Sequence, residues 1–225
     1  MKTFHILQRA IHIPIPHATL EGDLTIPHAA AGIIVFAHGS GSSRRSPRNR
    51  YVAGELHEAG LATLLFDLLT RAEEEMDART AHLRFDVGLL SARLEAATDW
   101  LQTQKDTRDL LAGYFGASTG AAAALIAAAR RPHDVYAVVS RGGRPDLARE
   151  WLPMVQAPTL LIVGGDDLEV IRLNQLAFNQ LRVEQKRLEL IPGASHLFEE
   201  PGALEQVAAL ARDWFRERLR ELRTI

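Results

Sequence analysis

Residues 110–129, with the sequence LLAGYFGASTGAAAALIAAA, join an apolar strand pattern to a helix pattern of small residues. Ser118 lies at the junction, between Gly116 and Gly120, in the pattern Gly-x-Ser-x-Gly. In this context the pattern predicts a sharp turn that projects the serine hydroxyl from the end of a strand. The two glycines have no Cβ to obstruct such a turn. The alternative, a chance match in a Gly- and Ala-rich helix start, is disfavoured by the flanking strand and helix patterns.

Runs that are wholly or mostly apolar recur on both sides of this stretch, as is typical of parallel strands that are buried on both faces. The runs cover residues 32–37, 62–66, 110–115, 135–139, 159–163 and 188–191. Helical patterns separate them, and the clearest follows Asp86, a candidate N-cap, with Leu90, Leu94, Ala97 and Leu101 on one face. A second covers residues 204–222. This alternation predicts βαβ units and a mostly parallel, twisted sheet with helices on both faces.

The N-terminal region has a different pattern, because residues 11–15 alternate apolar and polar side chains and residues 20–26 form a second extended stretch. Together they predict an antiparallel hairpin. No linker and no repeat interrupts the chain, so residues 1–225 are expected to form a single domain.

Composition excludes several classes of protein. The chain has 225 residues, 47% of them hydrophobic and 24% charged, with a formal net charge of -2. That charge gives no field to attract nucleic acid or an anionic membrane, so neither is an expected partner. The absence of cysteine excludes disulfides, a cysteine nucleophile and thiolate metal sites. No signal-peptide pattern follows Met1, so a cytoplasmic location is expected.

A serine nucleophile needs a base, and His196 is the candidate among nine histidines. It lies in a loop directly after the last apolar strand pattern, at the strand ends where ligands bind in such sheets. The other histidines fall in the predicted hairpin, in helical patterns or in turns, where a packing or solvated role is favoured.

Two adjacent aspartates, Asp166 and Asp167, follow the strand pattern of residues 159–163. One of them can orient the imidazole of His196 and stabilise its charged form. Neighbouring side chains leave the backbone in different directions, so only one can reach the histidine. The other is then a candidate cap for the helix predicted over residues 168–181.

An oxyanion formed during acyl transfer needs backbone N–H donors. The N–H of Thr119, the residue after the serine, is one candidate. The second is expected from the loop at residues 36–42, and we predict that Ser40 supplies it. His38 in the same loop is predicted to brace the loop by hydrogen bonding rather than to act in catalysis.

These motifs together resemble the α/β-hydrolase superfamily, in which the order serine, aspartate, histidine is found. More narrowly, the chain resembles the dienelactone hydrolase-like family from residue 38 to the final helix. Residues 36–44 and 139–145 resemble a small bacterial branch, similar to a hydrolase domain sometimes fused to phosphoribosyltransferases. The resemblance implies the α/β-hydrolase fold, a nucleophile at Ser118, a base at His196 and an acid at Asp167, which fits the family pattern Gly-x-Asp.

Two features qualify what the resemblance implies. Dienelactone hydrolases use a cysteine nucleophile, which this chain lacks, so the family name says little about a dienelactone substrate. Only about fifteen residues separate the strand patterns at 135–139 and 159–163, where related proteins often insert a lid. We therefore expect no lid domain, an open site and a preference for short acyl chains.

Arginines cluster near the predicted strand ends, and two of them are candidates for substrate binding. Arg44 follows the loop at residues 36–42, and Arg141 follows another predicted strand. A planar guanidinium suits a substrate carboxylate or phosphate. For Arg44 the alternative is an ion pair with an acid such as Glu73, Glu74, Glu75 or Asp86, and this alternative is favoured. For Arg141 the two interpretations are balanced.

The sequence therefore predicts a serine hydrolase that acts on a small-molecule ester, thioester or lactone through an acyl-enzyme on Ser118. The alternative is a binding or scaffold protein that keeps the fold without turnover. A metal-dependent hydrolase is disfavoured, because the chain has neither His-Glu-x-x-His nor a cysteine pair. We expect no metal and no cofactor.

Overall fold

The computed structural model describes residues 6–224, and its eight strands form one sheet. The strands are β1 (Ile6–Ile15), β2 (Ala18–Pro27), β3 (Ile33–Ala37), β4 (Ala62–Phe66), β5 (Ala112–Ala117), β6 (Val135–Arg141), β7 (Thr159–Gly164) and β8 (Lys186–Ile191). Their order in the sheet is β1-β2-β4-β3-β5-β6-β7-β8. The hairpin β1–β2 and the pair β2–β4 are antiparallel, and the remaining pairs are parallel. The predicted α/β-hydrolase fold with an N-terminal antiparallel hairpin is confirmed.

Six helices surround the sheet. They are α1 (Pro47–Glu58), α2 (Arg71–Thr80), α3 (Val87–Thr103), α4 (Thr119–Arg130), α5 (Leu168–Gln180) and α6 (Ala203–Thr224). Side chains of α3 and α4 belong to one hydrophobic cluster, and those of α1 and α6 belong to a second. The Asp86 carboxylate accepts a hydrogen bond from the Leu89 N–H, 2.9 Å away, so it caps α3 as predicted. The sheet is thus covered on both faces, with its parallel strand ends free to carry functional loops.

The main difference from the sequence prediction is α2, which the apolar patterns did not indicate. Seven of its ten residues are polar, and its buried residue is Asp77, so its sequence shows no apolar stripe. The available signal was the capping box, in which Thr70 accepts from the Glu73 N–H while the Glu73 side chain accepts from the Thr70 N–H. β5 and β6 also extend beyond their apolar runs, because Ala117 pairs with Arg141 at the end of both strands.

The connection between β6 and β7 contains no inserted domain. Its only regular element is a short 3-10 segment, Pro145–Met154, which packs against α4 and α5. The strand ends next to Ser118 are therefore not covered by a separate lid, as expected. The helices between residues 6 and 224 lack the apolar length that a bilayer-spanning segment requires.

Candidate active site

Ser118 lies in the turn between β5 and α4, with φ of 49° and ψ of -122°. L-residues rarely adopt positive φ, so this backbone is strained. The strain comes with a close approach of the chain: a Cβ on Gly120 would collide with the carbonyl oxygens of Ala37 and His38. The turn therefore presses against the end of β3, in the conformation that the Gly-x-Ser-x-Gly pattern predicts.

His196 and Asp167 form a hydrogen-bonded pair, as expected of the base and the acid that would activate the serine. Nδ1 of His196 lies 2.7 Å from Oδ2 of Asp167. The Asp167 side chain is 16% exposed and that of His196 is 40% exposed, so the imidazole is accessible from solvent. When Nδ1–H donates to the carboxylate, the ring lone pair lies on Nε2, which can accept a proton.

Within residues 6–224, no hydrogen bond joins Ser118 to the His196 ring, and the serine and the His196–Asp167 pair are instead linked through a third segment. The segment that contacts both residues is Gly142–Arg144: the Arg144 N–H donates to the Ser118 carbonyl at 3.0 Å, and Gly142 lies against His196.

The capping role suggested for Asp166 is wrong. Asp166 is exposed, whereas Asp167 is the N-cap of α5, its Oδ1 accepting from the Val170 N–H at 3.4 Å. Asp167 uses its other oxygen for His196, so one carboxylate performs both tasks. The cap and the acid need not be different residues, because the two oxygens of one carboxylate have enough lone pairs for both bonds.

The loop after β3 lies directly beside Ser118. A Cβ on Gly39 would be 2.9 Å from the Ser118 Cβ. His38 holds this loop as predicted: its Nδ1 lies 3.0 Å from the Gly39 carbonyl oxygen, and its Nε2 accepts from the Leu68 N–H at 3.1 Å. Both nitrogens are used by a neutral ring, and burial lowers the pKa of His38 below its ordinary value.

This hydrogen bond fixes the orientation of the peptide between Gly39 and Ser40. In a planar trans peptide the N–H points opposite to the C=O. Because the Gly39 carbonyl faces His38, the N–H of Ser40 faces the other way. Thr119 is the first residue of α4, so its N–H has no partner within the helix. The two predicted oxyanion donors thus belong to segments that flank Ser118.

Arg44 forms ion pairs with acidic side chains, which favours a structural role for this residue over substrate binding. Its guanidinium bonds to Asp67 and to Glu21, the latter at 2.6 Å, and its backbone N–H donates to Asp67 at 2.7 Å. These acids differ from the partners suggested by the sequence. Burial lowers the pKa of Arg44, but the effect of Asp67 and Glu21 raises it overall. We do not propose Arg44 as a substrate contact.

Arg141 has a different environment, although it also ends a strand. The residue is 6% exposed, and its Nη2 donates to Oδ1 of Asn49 at 3.1 Å. Its guanidinium carbon lies 5.8 Å from the ring centre of Phe198. Burial first, and the charge of Arg48 second, lower the pKa of Arg141 to about 10. Among the ion pairs of residues 6–224, none supplies Arg141 with a carboxylate.

A cavity of about 620 Å³ opens beside the loop that follows β3. It is lined by residues 38–43 of that loop, by residues 45–48 at the start of α1, and by Leu68, Leu69, Glu74, Asp77, Arg84 and Leu90. This volume is within the range that takes small organic ligands. In the described part of the chain, no group of three His, Asp or Glu residues is placed to hold a metal ion.

Two solved structures resemble this chain over most of its length. A crystal structure of a dienelactone hydrolase from Anabaena variabilis has 63% identity and a TM-score of 0.92, covering 94% of this chain and 98% of that one. Est1E from Butyrivibrio proteoclasticus, at 17% identity, shares the fold with a TM-score of 0.78 over 93% of this chain and 98% of that chain.

A Mycobacterium tuberculosis protein named as a phosphoribosyl transferase is 60% identical over 207 residues, 92% of this chain and 45% of that protein. The chain thus spans about half the length of these curated relatives. The model of the dienelactone hydrolase family matches residues 20–224, which include every candidate site residue described above. The chain therefore belongs to the dienelactone hydrolase family.

Proposed function

We propose that the protein hydrolyses small carboxylic esters through an acyl-enzyme on Ser118. The observation that carries this proposal is the pairing of His196 with Asp167 at 2.7 Å, together with a serine that is held at φ of 49° and is linked to His196 through the Gly142–Arg144 segment. Strained backbone at a strand end is typical of a nucleophile that must be presented to substrate. Membership of a hydrolase family supports the same reaction class.

The proposed reaction uses each of these groups. Nε2 of His196 accepts the Ser118 proton as Oγ forms a bond to the ester carbonyl carbon, and the N–H groups of Ser40 and Thr119 donate to the resulting oxyanion. His196 then gives its proton to the leaving alcohol, and the acyl group stays on Ser118. Water then attacks the acyl-enzyme through the same steps, and the carboxylic acid product is released. Asp167 stabilises the imidazolium at both steps. Thioesters and lactones are variants of the same chemistry.

The name of the Mycobacterium tuberculosis relatives does not change this proposal. Those proteins carry the name of a phosphoribosyl transferase, but this chain matches 45% of their length. The proposed catalytic residues of this chain all lie within the part that matches the hydrolase family. Ester hydrolysis is therefore the activity we propose for this chain.

A panel of p-nitrophenyl esters tests the substrate size. The site has no inserted lid to shelter a long alkyl chain, so acetate and butyrate esters should be hydrolysed faster than decanoate or longer esters. The measurement is kcat/KM for each ester at one pH. Faster turnover of the long chains would contradict the proposed short-chain preference, and no turnover of any ester would contradict the proposed reaction.

The environment of Arg141 favours a substrate that carries an anionic group. A buried guanidinium without a carboxylate partner is unfavourable, and an anion brought by the substrate would offset that. Arg141→Met keeps much of the side-chain volume and removes the charge. A charged hydrogen bond contributes about 1.5–3 kcal/mol, so kcat/KM for a monoester of a dicarboxylic acid should fall about tenfold or more, while a neutral ester changes little.

The matched control for that charge is Arg45→Met, because Arg45 is exposed and lines the cavity. It removes the same net charge from a solvated position, where long-range effects are screened by salt. Equal losses on acidic and neutral esters in Arg141→Met would leave Arg141 with a packing role only.

A further inference from the structure

The Gly142–Arg144 segment, between β6 and the 3-10 segment, contacts both sides of the candidate triad. The Arg144 N–H donates to the Ser118 carbonyl at 3.0 Å. Gly142 has φ of +52°, and a Cβ there would be 3.0 Å from the His196 carbonyl oxygen and 3.7 Å from its Cε1. Its N–H also donates to the Ile162 carbonyl at 2.8 Å. A shift of this segment would therefore move Ser118 relative to His196.

Asn174 connects the same segment to the helix that begins at Asp167. It is fully buried, and its Nδ2 donates to the Gly143 carbonyl at 2.9 Å and to the Val170 carbonyl at 2.8 Å. Asn174 lies seven residues after Asp167, about two helical turns along α5. A buried amide is unfavourable unless it is hydrogen-bonded, and here both N–H donors are used on backbone carbonyls, while Oδ1 has no partner among the described residues.

The three candidate catalytic residues come from different loops, after β5, β7 and β8, so their spacing depends on contacts between those loops. We infer that Asn174 is a positioning residue, which holds the Gly142–Arg144 segment so that Ser118 keeps its place relative to the His196–Asp167 pair. This inference rests on the proposed function. Asn174 does not contact the reacting atoms: it bonds the segment that in turn contacts Ser118 and His196.

Asn174→Leu tests the inference, because leucine is close to asparagine in size and cannot donate a hydrogen bond. Without the bond to Gly143, the segment is free to shift. Misplacement of reacting groups by about 1 Å can lower a rate about a hundredfold, so kcat for a short-chain ester should fall by tenfold to a hundredfold. KM should change little, because the Asn174 side chain is fully buried and donates to the backbone carbonyls of Gly143 and Val170.

Thr98→Val is the matched control. Thr98 is also buried in a helix, and its Oγ1 bonds to the Leu94 carbonyl at 2.9 Å and to the Tyr114 hydroxyl at 2.7 Å. It therefore removes a comparable set of buried hydrogen bonds at a position that does not touch the Gly142–Arg144 segment. Both variants should lower Tm, and only Asn174→Leu should lower kcat.

Gly142→Ala is a second test of the same segment. It keeps the inference testable if Asn174→Leu fails to fold. The added Cβ meets the His196 carbonyl in a backbone conformation that alanine disfavours, so kcat should again fall with KM nearly unchanged. The rate of fluorophosphonate labelling at Ser118 should fall in parallel.

The inference is overturned if folded Asn174→Leu keeps the wild-type kcat, if Thr98→Val loses as much kcat as Asn174→Leu, or if Gly142→Ala is fully active. Each of these outcomes leaves wild-type ester turnover intact and therefore leaves the proposed function standing. Wild-type protein that neither hydrolyses esters nor labels at Ser118 would instead remove the proposed function, and the inference with it.

Discussion

Ser118→Ala is expected to lower kcat for a short-chain ester by at least about a thousandfold while the protein stays folded. The loss is large because serine, histidine and aspartate act as a unit, and without the hydroxyl no acyl-enzyme forms. Residual activity should come from the oxyanion donors alone. The measurement is kcat for p-nitrophenyl acetate, with circular dichroism and Tm to establish that the variant is folded.

Two matched variants sharpen this experiment. Ser40→Ala removes an exposed hydroxyl from the neighbouring loop and leaves its backbone N–H, so kcat should remain close to that of the wild type. Ser118→Gly should be as inactive as Ser118→Ala but more stable by about 1–2 kcal/mol, because glycine adopts positive φ without strain. Near-normal turnover in Ser118→Ala would mean that another residue is the nucleophile.

Asp167→Asn is expected to lower kcat roughly a thousandfold or more with little loss of stability. The amide can present its NH2 to His196 Nδ1, which favours the wrong imidazole tautomer and leaves the imidazolium without its counter-charge. The capping oxygen can be kept, since Asn and Asp are equally good N-caps. This variant should therefore lose activity while its free energy of unfolding stays close to that of the wild type.

Asp167→Ala and Asp166→Asn complete the set. The alanine variant loses the cap as well as the acid, so it should be inactive and less stable by about 1 kcal/mol. Asp166 is exposed and neither caps α5 nor contacts His196, so Asp166→Asn should be nearly normal in both measurements. If Asp166→Asn is inactive and Asp167→Asn is active, the acid is assigned one residue too far along the chain.

The parts of the fold and site that could be predicted are those specified by short local patterns. The turn at Ser118 needs only two glycines and flanking strand and helix patterns. Apolar runs identify strands β3 to β7, which are buried on both faces, whereas the run at residues 188–191 belongs to the edge strand β8, which is partly exposed. The position of His196 after the last strand follows from the same topology, because parallel strand ends meet at one edge.

The parts that could not be predicted depend on contacts between distant residues. Arg44 has two partners, Glu21 and Asp67, and each lies 23 residues away along the chain. Nothing in the charge pattern selects these acids over nearer ones. Asn174 carries no motif, and its bond to Gly143 exists because α5 packs against the β6–β7 connection. Helix α2 was missed because its polar surface gives no apolar period.

Labelling with a fluorophosphonate measures whether Ser118 is an activated nucleophile. The probe reacts with a serine only when a base increases its nucleophilicity. We expect one adduct per folded chain, located at Ser118 by peptide mass spectrometry, absent in Ser118→Ala and much slower in Asp167→Asn. Folded wild-type protein that stays unlabelled at Ser118 would mean that this serine is not activated, and would favour a binding protein that keeps this fold without catalysis.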